Sequence, residues 1–268
     1  MVEGRKYETL LIIAASDSIG GAGIQADIKT ATAQRVYAMT ALTAVTAQNT
    51  GAVEAIWPLP AEAVKGQIDA VLADVSPDAV KLGMLHNKGI VECVAKEIVA
   101  KGLKNIVCDP VAVASCGDSL SADGGGMAEA MERSLFPLCD IVTPNIPEAE
   151  VFLGRKVADP EEDAKKLQER WGCKAVLLKG GHNRGEECVD VMASGEECFK
   201  FVHPRIGTRN SHGTGCTLSS AIACGLAKGM DAGRAVEKGI EFVVEALRSG
   251  APYAFGGGTG PLCFWPDK

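Results

Sequence analysis

Short, mostly apolar runs recur along the chain with the length and composition of buried β-strands, at residues 10–15, 79–84, 105–109, 140–143 and 175–179. Such runs are typical of strands covered on both faces of a parallel sheet. Between them, apolar residues recur every three or four positions with charges opposite, which predicts helices over residues 61–73, 88–101, 127–135 and 160–171. The alternation indicates βαβ units, so we predict an α/β fold with a mostly parallel central sheet and helices on both faces.

The final third of the chain follows a different pattern. Residues 189–192 and 198–202 predict a more polar hairpin around Ser194-Gly195, and long helical patterns follow over residues 216–228 and 232–248. No repeat or low-complexity linker interrupts the sequence, so we expect a single domain over residues 1–268. In such a sheet, ligands collect at the carboxyl ends of the strands.

Composition and charge narrow the function. The chain has 268 residues, of which 47% are hydrophobic, enough for a full core without disulfides or a structural metal. The net charge of -7 argues against nucleic acid or an anionic membrane as the main partner. Ten cysteines without metal-binding spacing are typical of reduced, buried thiols, and no apolar run approaches the ~18 residues of a membrane span. We therefore expect a soluble cytoplasmic protein.

A glycine-rich segment, residues 16–27, follows the first predicted strand. Such a loop lets a ligand approach the backbone closely, although a plain tight turn is the alternative. Gly21-x-Gly23-x-x-Ala26 also satisfies the dinucleotide fingerprint, so an oxidoreductase has to be considered. We disfavour it because Gln48 and Asn49 stand in the following segment where an acid would bind the ribose.

A second glycine-rich segment, residues 210–221, opens a predicted helix. Backbone N–H groups of residues 213–216 can converge on an anion, and the helix dipole adds roughly half a positive charge there. Cys216 lies at this helix N-terminus, where we expect its pKa to fall below that of a free thiol, so that it serves as a base or nucleophile. The alternative is a small residue required by tight packing. We expect His212 to orient the loop rather than to react.

Acidic and polar side chains follow other predicted strands. Asp109 ends one strand, and Asn145 and Glu148 follow the next. Carboxylate oxygens with water and substrate phosphates suit Mg²⁺, although Glu148 can instead stabilise the helix that Pro147 starts. Lys179 ends a further strand and is either a phosphate ligand or a solvated lysine.

Together these motifs resemble the hydroxymethylpyrimidine/phosphomethylpyrimidine kinases of thiamine biosynthesis, a branch of the ribokinase-like superfamily. The resemblance runs from about residue 10 to residue 262 in the expected order, and residues 20–27 and 212–218 are specific to this branch. It implies a ribokinase-like fold without a large lid domain, and commonly a homodimer. It also implies transfer of the ATP γ-phosphoryl group to the hydroxymethyl group of the pyrimidine, and then to the resulting monophosphate.

The resemblance further implies a role for each matching position. Cys216 is the catalytic residue that takes the substrate proton, beside an anion hole formed by Gly213, Thr214 and Gly215. The substrate ring is contacted by Gln48 through a hydrogen bond, with further contacts from Ala22, Gly23, Met84 and Val111 around it and Asp27 beneath it. Mg²⁺ and its water shell are held by Asp109, Glu148 and Asn145, and ATP phosphate is contacted by Lys179.

The chain departs from the family pattern at a few positions. Ala112 stands where the family has Met, Ser115-Cys116 where it has Lys-Ser, and Cys263-Phe264 where relatives often carry His. The lysine of the family is missing here, which affects the binding of the monophosphate and therefore the second phosphorylation. Two alternatives stay open: a pyridoxal or pyridoxine kinase of the same fold, in which Cys216 can add to the aldehyde, and a non-catalytic pyrimidine sensor.

Overall fold

The computed structural model describes residues 6–111, 126–181 and 185–265. The strands are β1 Thr9–Asp17, β2 Tyr37–Gln48, β3 Val53–Pro58, β4 Ala79–Leu82, β5 Ile106–Cys108, β6 Ile141–Val142, β7 Ala175–Leu178, β8 Glu187–Ser194 and β9 Glu197–Pro204. The helices are α1 Gly23–Ala33, α2 Ala61–Leu72, α3 Lys88–Lys101, α4 Gly126–Ala130, α5 Ile146–Leu153, α6 Pro160–Trp171, α7 Thr214–Ala227 and α8 Ala232–Gly250.

The strands form one nine-stranded sheet in the order β3-β2-β1-β4-β5-β6-β7-β8-β9. Neighbours from β2 through β7 pair in parallel, whereas β3, β8 and β9 each pair antiparallel with the strand beside them. The predicted mostly parallel sheet is therefore confirmed, as is the polar hairpin, which is longer at both ends than its apolar residues indicated.

Two hydrophobic cores cover the two faces of the sheet. Along β1, Leu11 and Ile13 belong to the core shared with α2, α3, α5 and α6, while Leu10 and Ile12 belong to the core shared with α1, α7 and α8. All four side chains are fully buried. Because successive residues of a strand point to opposite faces, the uninterrupted apolar run is what a strand covered on both sides requires.

Some elements differ from the sequence-based expectation. β2 and β3 were not predicted, because β2 mixes threonine and alanine with partly exposed positions and β3 is an exposed edge strand. The helix predicted over residues 127–135 is real but irregular, since α4 continues into a π-helical turn over Met131–Leu135.

The chain reverses its direction across the sheet between β1 and β4. From β1 it moves outward to β2 and β3, and it then returns to the other side of β1 to build β4 through β9. Crevices at such a switch point, outside the carboxyl ends of the strands, are the usual ligand sites of parallel sheets. Both glycine-rich segments lie at the carboxyl ends of the strands, beside this switch point. Across the described parts of the chain, no helix is both long enough and apolar enough to span a membrane.

Candidate active site

A cleft of about 850 Å³ runs along the carboxyl ends of the strands. Its volume is that of a site for a small molecule or cofactor. It is lined by most of the residues that the sequence singled out: Ala22, Gly23, Gln48, Met84, Asp109, Val111, Asn145, Glu148, Lys179, Gly213, Thr214, Gly215 and Cys216. The folding of the sheet thus brings segments that are far apart in sequence into one cleft.

The first glycine-rich segment is held by Asp17 at the end of β1. Its buried carboxylate accepts hydrogen bonds from the N–H groups of Ile19 at 3.0 Å, Gly21 at 3.0 Å and Ala22 at 2.8 Å, and from Nε2 of His212 at 2.9 Å. Burial alone would raise the pKa of Asp17, but the hydrogen bonds from His212 and Ala22 outweigh it and lower the pKa. Asp17 therefore fixes the shape of the loop.

The second glycine-rich segment begins α7 with an open first turn. Gly213 has φ +85°, and a Cβ there would lie 1.8 Å from the carbonyl oxygen of Gly21, so only glycine fits. In the described part of the chain, no side chain caps this helix. A Cβ on Gly215 would lie 3.3 Å from both Asp109 Oδ2 and Lys179 Nζ. The helix N-terminus and the Lys179 ammonium thus lie side by side, which suits an anionic group, with the Asp109 carboxylate next to them.

The expected low pKa of Cys216 is wrong for this structure. Burial raises the pKa of the thiol to about 11, and the nearby carboxylates of Asp27 and Asp109 raise it further. The charge of Lys81 and the N–H group of Gly23 act in the opposite direction without compensating. The helix N-terminus favours a thiolate, but desolvation outweighs it, so Cys216 is protonated at neutral pH in the absence of ligands.

Lys179 and Asp109 form a buried ion pair at the carboxyl ends of β7 and β5, the two strands on either side of β6. Lys179 Nζ lies 2.8 Å from Asp109 Oδ1, and their side chains are 13% and 3% exposed. Burial alone would lower the pKa of Lys179, but Asp109 and Glu148 raise it above its usual range. The lysine is therefore charged and faces the cleft, rather than being a solvated strand end.

Glu148 stabilises the start of α5 and also lines the cleft. Asn145 and Glu148 form a capping box at the start of α5, with Asn145 N donating to Glu148 Oε2 at 2.8 Å and Glu148 N donating to Asn145 Oδ1 at 2.8 Å. The carboxyl group also lines the cleft. Burial raises its pKa to about 7, because the attraction of Lys179, although it exceeds the repulsion by Asp109, does not compensate for burial.

The structure corrects the placement of Asp27, which was assigned to the substrate-binding set. Asp27 is fully buried on α1 and lies below the cleft, where its carboxylate pairs with Lys81 Nζ at 2.8 and 2.9 Å and accepts a hydrogen bond from Ser220 Oγ at 2.7 Å. Both oxygens are thus engaged inside the protein. Attraction to Asp27 raises the pKa of Lys81 against the effect of burial, whereas burial raises the pKa of Asp27 against the attraction of Lys81. The contacts from Nζ to both carboxylate oxygens are those of an ionised pair.

Sequence reasoning did not select Lys81 or Asp17. Lys81 is a lysine in the middle of a buried strand, and a buried lysine requires a partner, so its position was a usable signal. Asp17 gave no comparable signal, because its partner His212 is 195 residues away. Ala112, Ser115, Cys116 and His182 lie outside the described residues, and so does the departure that bears on the second reaction.

A comparison with family models decides the family. The phosphomethylpyrimidine kinase model matches residues 17–263, which is most of the chain. The chain belongs to the phosphomethylpyrimidine kinase family. It is therefore a kinase, and the recognition made from the two glycine-rich segments is confirmed.

Curated relatives of this family match nearly the whole length of this chain. The chain is 43% identical over 255 residues to the hydroxymethylpyrimidine/phosphomethylpyrimidine kinase of Rhizobium meliloti, covering 94% of this chain and 95% of that one. It is also 43% identical over 257 residues to the thiamine biosynthesis bifunctional protein ThiED of Geobacter sulfurreducens. That match covers 95% of this chain but 51% of the relative, so the chain spans about half of that longer protein.

Solved structures share the fold of this phosphomethylpyrimidine kinase family member. The phosphomethylpyrimidine kinase from Clostridium difficile superposes with a TM-score of 0.79 at 38% identity, covering 90% of this chain and 100% of that one. The pyridoxal kinase from Staphylococcus aureus, solved with AMP-PCP and pyridoxal, superposes with a TM-score of 0.86 at 30% identity, covering 97% and 94%. These likenesses confirm the ribokinase-like fold class.

Proposed function

We propose that this kinase transfers the γ-phosphoryl group of ATP to the hydroxymethyl group of 4-amino-5-hydroxymethyl-2-methylpyrimidine, and then to the monophosphate, giving the diphosphate used in thiamine biosynthesis. The names of the relatives support this substrate class. The observation that carries the proposal is that Cys216 lines the same cleft as Gln48 and Met84, the proposed ring contacts, and Lys179, the proposed phosphate contact.

The phosphate pocket has the charges that phosphoryl transfer needs. The transferring group spreads negative charge over its oxygens, and catalysis rests on positioning and on fixed positive charge. We propose that Lys179 contacts ATP phosphate and that the N–H groups of residues 213–216 receive the transferring phosphoryl group. Lys179 Nζ lies 3.3 Å from a Cβ built on Gly215, in the first turn of α7, which supports this arrangement.

The donor set also fits Mg²⁺. Asp109 and Glu148 are 2% and 3% exposed and share one lysine, and burial raises the pKa of Glu148 to about 7, so the pocket is short of positive charge. Within the described ranges, no cluster of three or more His, Cys, Asp or Glu side chains can hold a metal unaided. Mg²⁺ usually takes one or two carboxylates with phosphates and water, so Asp109 and Glu148 would hold it. When bound, it supplies positive charge to the phosphates.

Cys216 is proposed as the acceptor of the hydroxymethyl proton, in its thiolate form. Because the pKa of the thiol is about 11 without ligands, the first reaction should speed up with rising pH from 7 to 9. Cys216→Asp supplies a permanent carboxylate, so its rate should change little over the same range. If the wild-type rate does not depend on pH, the proton passes to a phosphate oxygen instead and Cys216 is not the base.

Product analysis tests the function directly. The purified protein is incubated with Mg-ATP and the hydroxymethylpyrimidine, and products are followed by mass over time. We expect the monophosphate first and the diphosphate later, whereas accumulation of the monophosphate alone would contradict the second step. Cys216→Ala is the test variant, and Cys224→Ala, two turns further along α7 in the buried core, is the matched control.

Pyridoxal is the second candidate substrate. The Staphylococcus aureus pyridoxal kinase superposes over 97% of this chain, and that protein was solved with pyridoxal. Pyridoxal is therefore assayed in parallel with the pyrimidine. Exclusive phosphorylation of pyridoxal would replace the proposed substrate.

We further propose that the enzyme is cytoplasmic. We also propose that it has one domain, because one continuous sheet connects the nine strands of the described residues. A homodimer is proposed from the family resemblance. Sedimentation equilibrium measures the mass in solution. A monomer mass at micromolar concentration would contradict the dimer.

A further inference from the structure

The ring end of the cleft contains a hydrogen-bonded chain that links Asp17, His212 and Gln48. Asp17 Oδ2 accepts from the N–H groups of Gly21 and Ala22 and lies 2.9 Å from His212 Nε2. The carboxylate of Asp17 also accepts from the N–H group of Ile19, and these three backbone donors favour its ionised form, in which it can only accept hydrogen bonds. His212 Nε2 must therefore carry a proton, whether the imidazole is neutral or charged.

This proton constrains the side-chain amide of Gln48. The amide nitrogen of Gln48 lies 3.2 Å from His212 Nε2, and the amide oxygen lies 3.4 Å from Thr46 Oγ1. Since His212 Nε2 is a donor, an NH₂ group at that position meets another donor. The two ends of an amide have the same shape, so hydrogen bonding decides which end is which. Turning the amide by a half rotation places its oxygen against the His212 proton.

The hydroxyl of Thr46 requires the same orientation of the Gln48 amide, independently of His212. Its hydroxyl has one proton, which it donates to the carbonyl oxygen of Ser16 at 3.0 Å. Thr46 Oγ1 can then only accept a hydrogen bond from Gln48, which requires the NH₂ group on that side. Both flanks of the amide therefore require its oxygen toward His212 and its nitrogen toward Thr46.

Neither partner is free to swing away. The backbone of Gln48 is tied to Ser18, with Gln48 N donating to Ser18 Oγ at 2.7 Å and Ser18 Oγ donating to Gln48 O at 2.8 Å. The His212 backbone donates to Gly260 O at 2.9 Å, and its ring packs on Gly21, where a Cβ would lie 2.4 Å from Cδ2. The amide is consequently held at a fixed position on the cleft wall.

We propose that His212 is a positioning residue that fixes the orientation of the Gln48 amide and thereby the direction in which the substrate ring is read. The inference rests on the proposed function, because it assigns the order of donor and acceptor on a ring that Gln48 contacts. An aminopyrimidine presents a ring nitrogen acceptor beside an amino donor, the pattern that an amide reads on adenine. His212 and Thr46 engage the two sides of the Gln48 amide. Gln48 therefore donates an N–H to the ring nitrogen and accepts from the amino group with its oxygen, and the reverse arrangement is excluded.

The protonation of His212 is measured without any substrate. Long-range ¹H–¹⁵N spectra of protein labelled at its four histidines show which ring nitrogens carry protons, and His212→Gln assigns the His212 signals. We expect a protonated Nε2 at neutral pH. An unprotonated Nε2 would overturn the proposal, because His212 could then not donate to Asp17 and would accept from Gln48 instead.

Kinetics test the consequence for specificity. The substrates are the aminopyrimidine and an analogue that lacks the 4-amino group, and the variants are His212→Leu, which removes the donor, and His212→Gln, whose Nε2 can replace it. We expect His212→Leu to reduce the ratio of kcat/KM for the two substrates about tenfold, the effect of one hydrogen bond, and His212→Gln to restore most of it.

The outcomes separate this role from simple loss of structure. An equal loss of kcat/KM for both substrates in His212→Leu, at an unchanged melting temperature, would overturn the specificity role. If His212→Leu does not fold, the nitrogen spectra of the wild-type protein still decide the protonation. If the wild-type protein phosphorylates pyridoxal but not the aminopyrimidine, the proposed function fails, whereas the spectra continue to test the orientation of Gln48.

Discussion

Two buried lysines lie along the same cleft, and they differ in how their charge is balanced. Lys81 and Asp27 form the Lys81–Asp27 pair, which is fully buried and completed by the hydroxyl of Ser220. Lys179 faces two carboxylates, Asp109 and Glu148, and these three side chains form the Lys179 cluster. The first is complete without a ligand. The second carries more negative than positive charge, and this imbalance is resolved by a cation or by protonation of Glu148.

The comparison separates a structural ion pair from a functional one. Buried charges are tolerated when each is paired and hydrogen-bonded, which the Lys81–Asp27 pair achieves inside the protein. The Lys179 cluster lines the cleft and has one positive charge for two carboxylates. Burial raises the pKa of Glu148 to about 7, because the charge of Lys179 alone does not compensate for it. A site that binds anionic phosphates together with a metal reaches charge balance only when these ligands are bound.

The largest expected effect comes from breaking the Lys179 cluster. Lys179→Met removes the positive charge beside Asp109, and kcat should fall on the order of 10³-fold because that charge stabilises the transferring phosphoryl group. Steady-state rates with Mg-ATP measure the change. Lys174→Met is the matched control at the opposite end of β7, where the lysine is 80% exposed, and its kcat should be unchanged. A fall of less than tenfold in Lys179→Met would remove Lys179 from the phosphate pocket.

Breaking the Lys81–Asp27 pair should act on stability. Lys81→Met leaves the carboxylate of Asp27 buried without its partner, and the free energy of unfolding should fall by about 3 kcal/mol. Urea unfolding followed by circular dichroism measures the loss. The double variant Lys81→Met/Asp27→Leu, which buries no charge, should recover most of it. A double variant less stable than the single one would show that the pair itself stabilises the fold.

Cys216 lies close enough to both groups for Lys81, Asp27 and Asp109 to influence its thiol. Its pKa is raised from 9.0 to about 11, so at any pH below 9 less of it is thiolate than in an ordinary cysteine. At pH 8 its alkylation by iodoacetamide should be roughly a hundredfold slower than that of N-acetylcysteine, and the rate should rise about tenfold per pH unit. The mass of the Cys216 peptide over time measures this, and a rate equal to that of the free thiol contradicts the raised pKa.

The smallest expected effect is the response of the Lys179 cluster to a cation. Millimolar Mg²⁺ without nucleotide should raise the melting temperature by about 2 °C, because it supplies the missing positive charge. Glu148→Gln should abolish the shift. Glu150→Gln, on the same helix but paired with Lys156, should retain it. A shift that survives in Glu148→Gln would mean that Mg²⁺ binds elsewhere.

Much of the fold was predictable because its central strands are buried on both faces. β1, β4, β5, β6 and β7 gave apolar runs that no surface element would carry, and the order of motifs along the chain placed them at strand ends. β2 was not predictable in this way. Its burial alternates irregularly and several of its residues face the cleft or solvent, so its sequence shows neither a continuous nor a strictly alternating pattern.

The site was predictable as a set of residues but not as a set of interactions. The glycines and Cys216 at the start of α7 were identifiable locally, because a helix that begins with Gly-Thr-Gly exposes N–H groups. The sequence predicted a lowered pKa for Cys216, whereas the structure raises it. This pKa depends on burial and on carboxylates from α1 and from the end of β5, which only the folded chain brings near. Asp27 likewise was assigned to the substrate-binding set, beneath the ring, whereas its fully buried carboxylate pairs with Lys81 inside the protein.

The sequence by itself determined the α/β class, the two glycine-rich segments and the acidic and basic residues at strand ends, because these depend on local periodicity and on motifs within a few residues. The tertiary structure decided which charges are balanced and which are not. Lys81 lies inside β4 and Lys179 directly follows β7, but their positions in the sequence do not show which carboxylates each of them meets. What separates them is whether α1 supplies one carboxylate or β5 and α5 supply two, and such contacts are formed only when distant segments pack together.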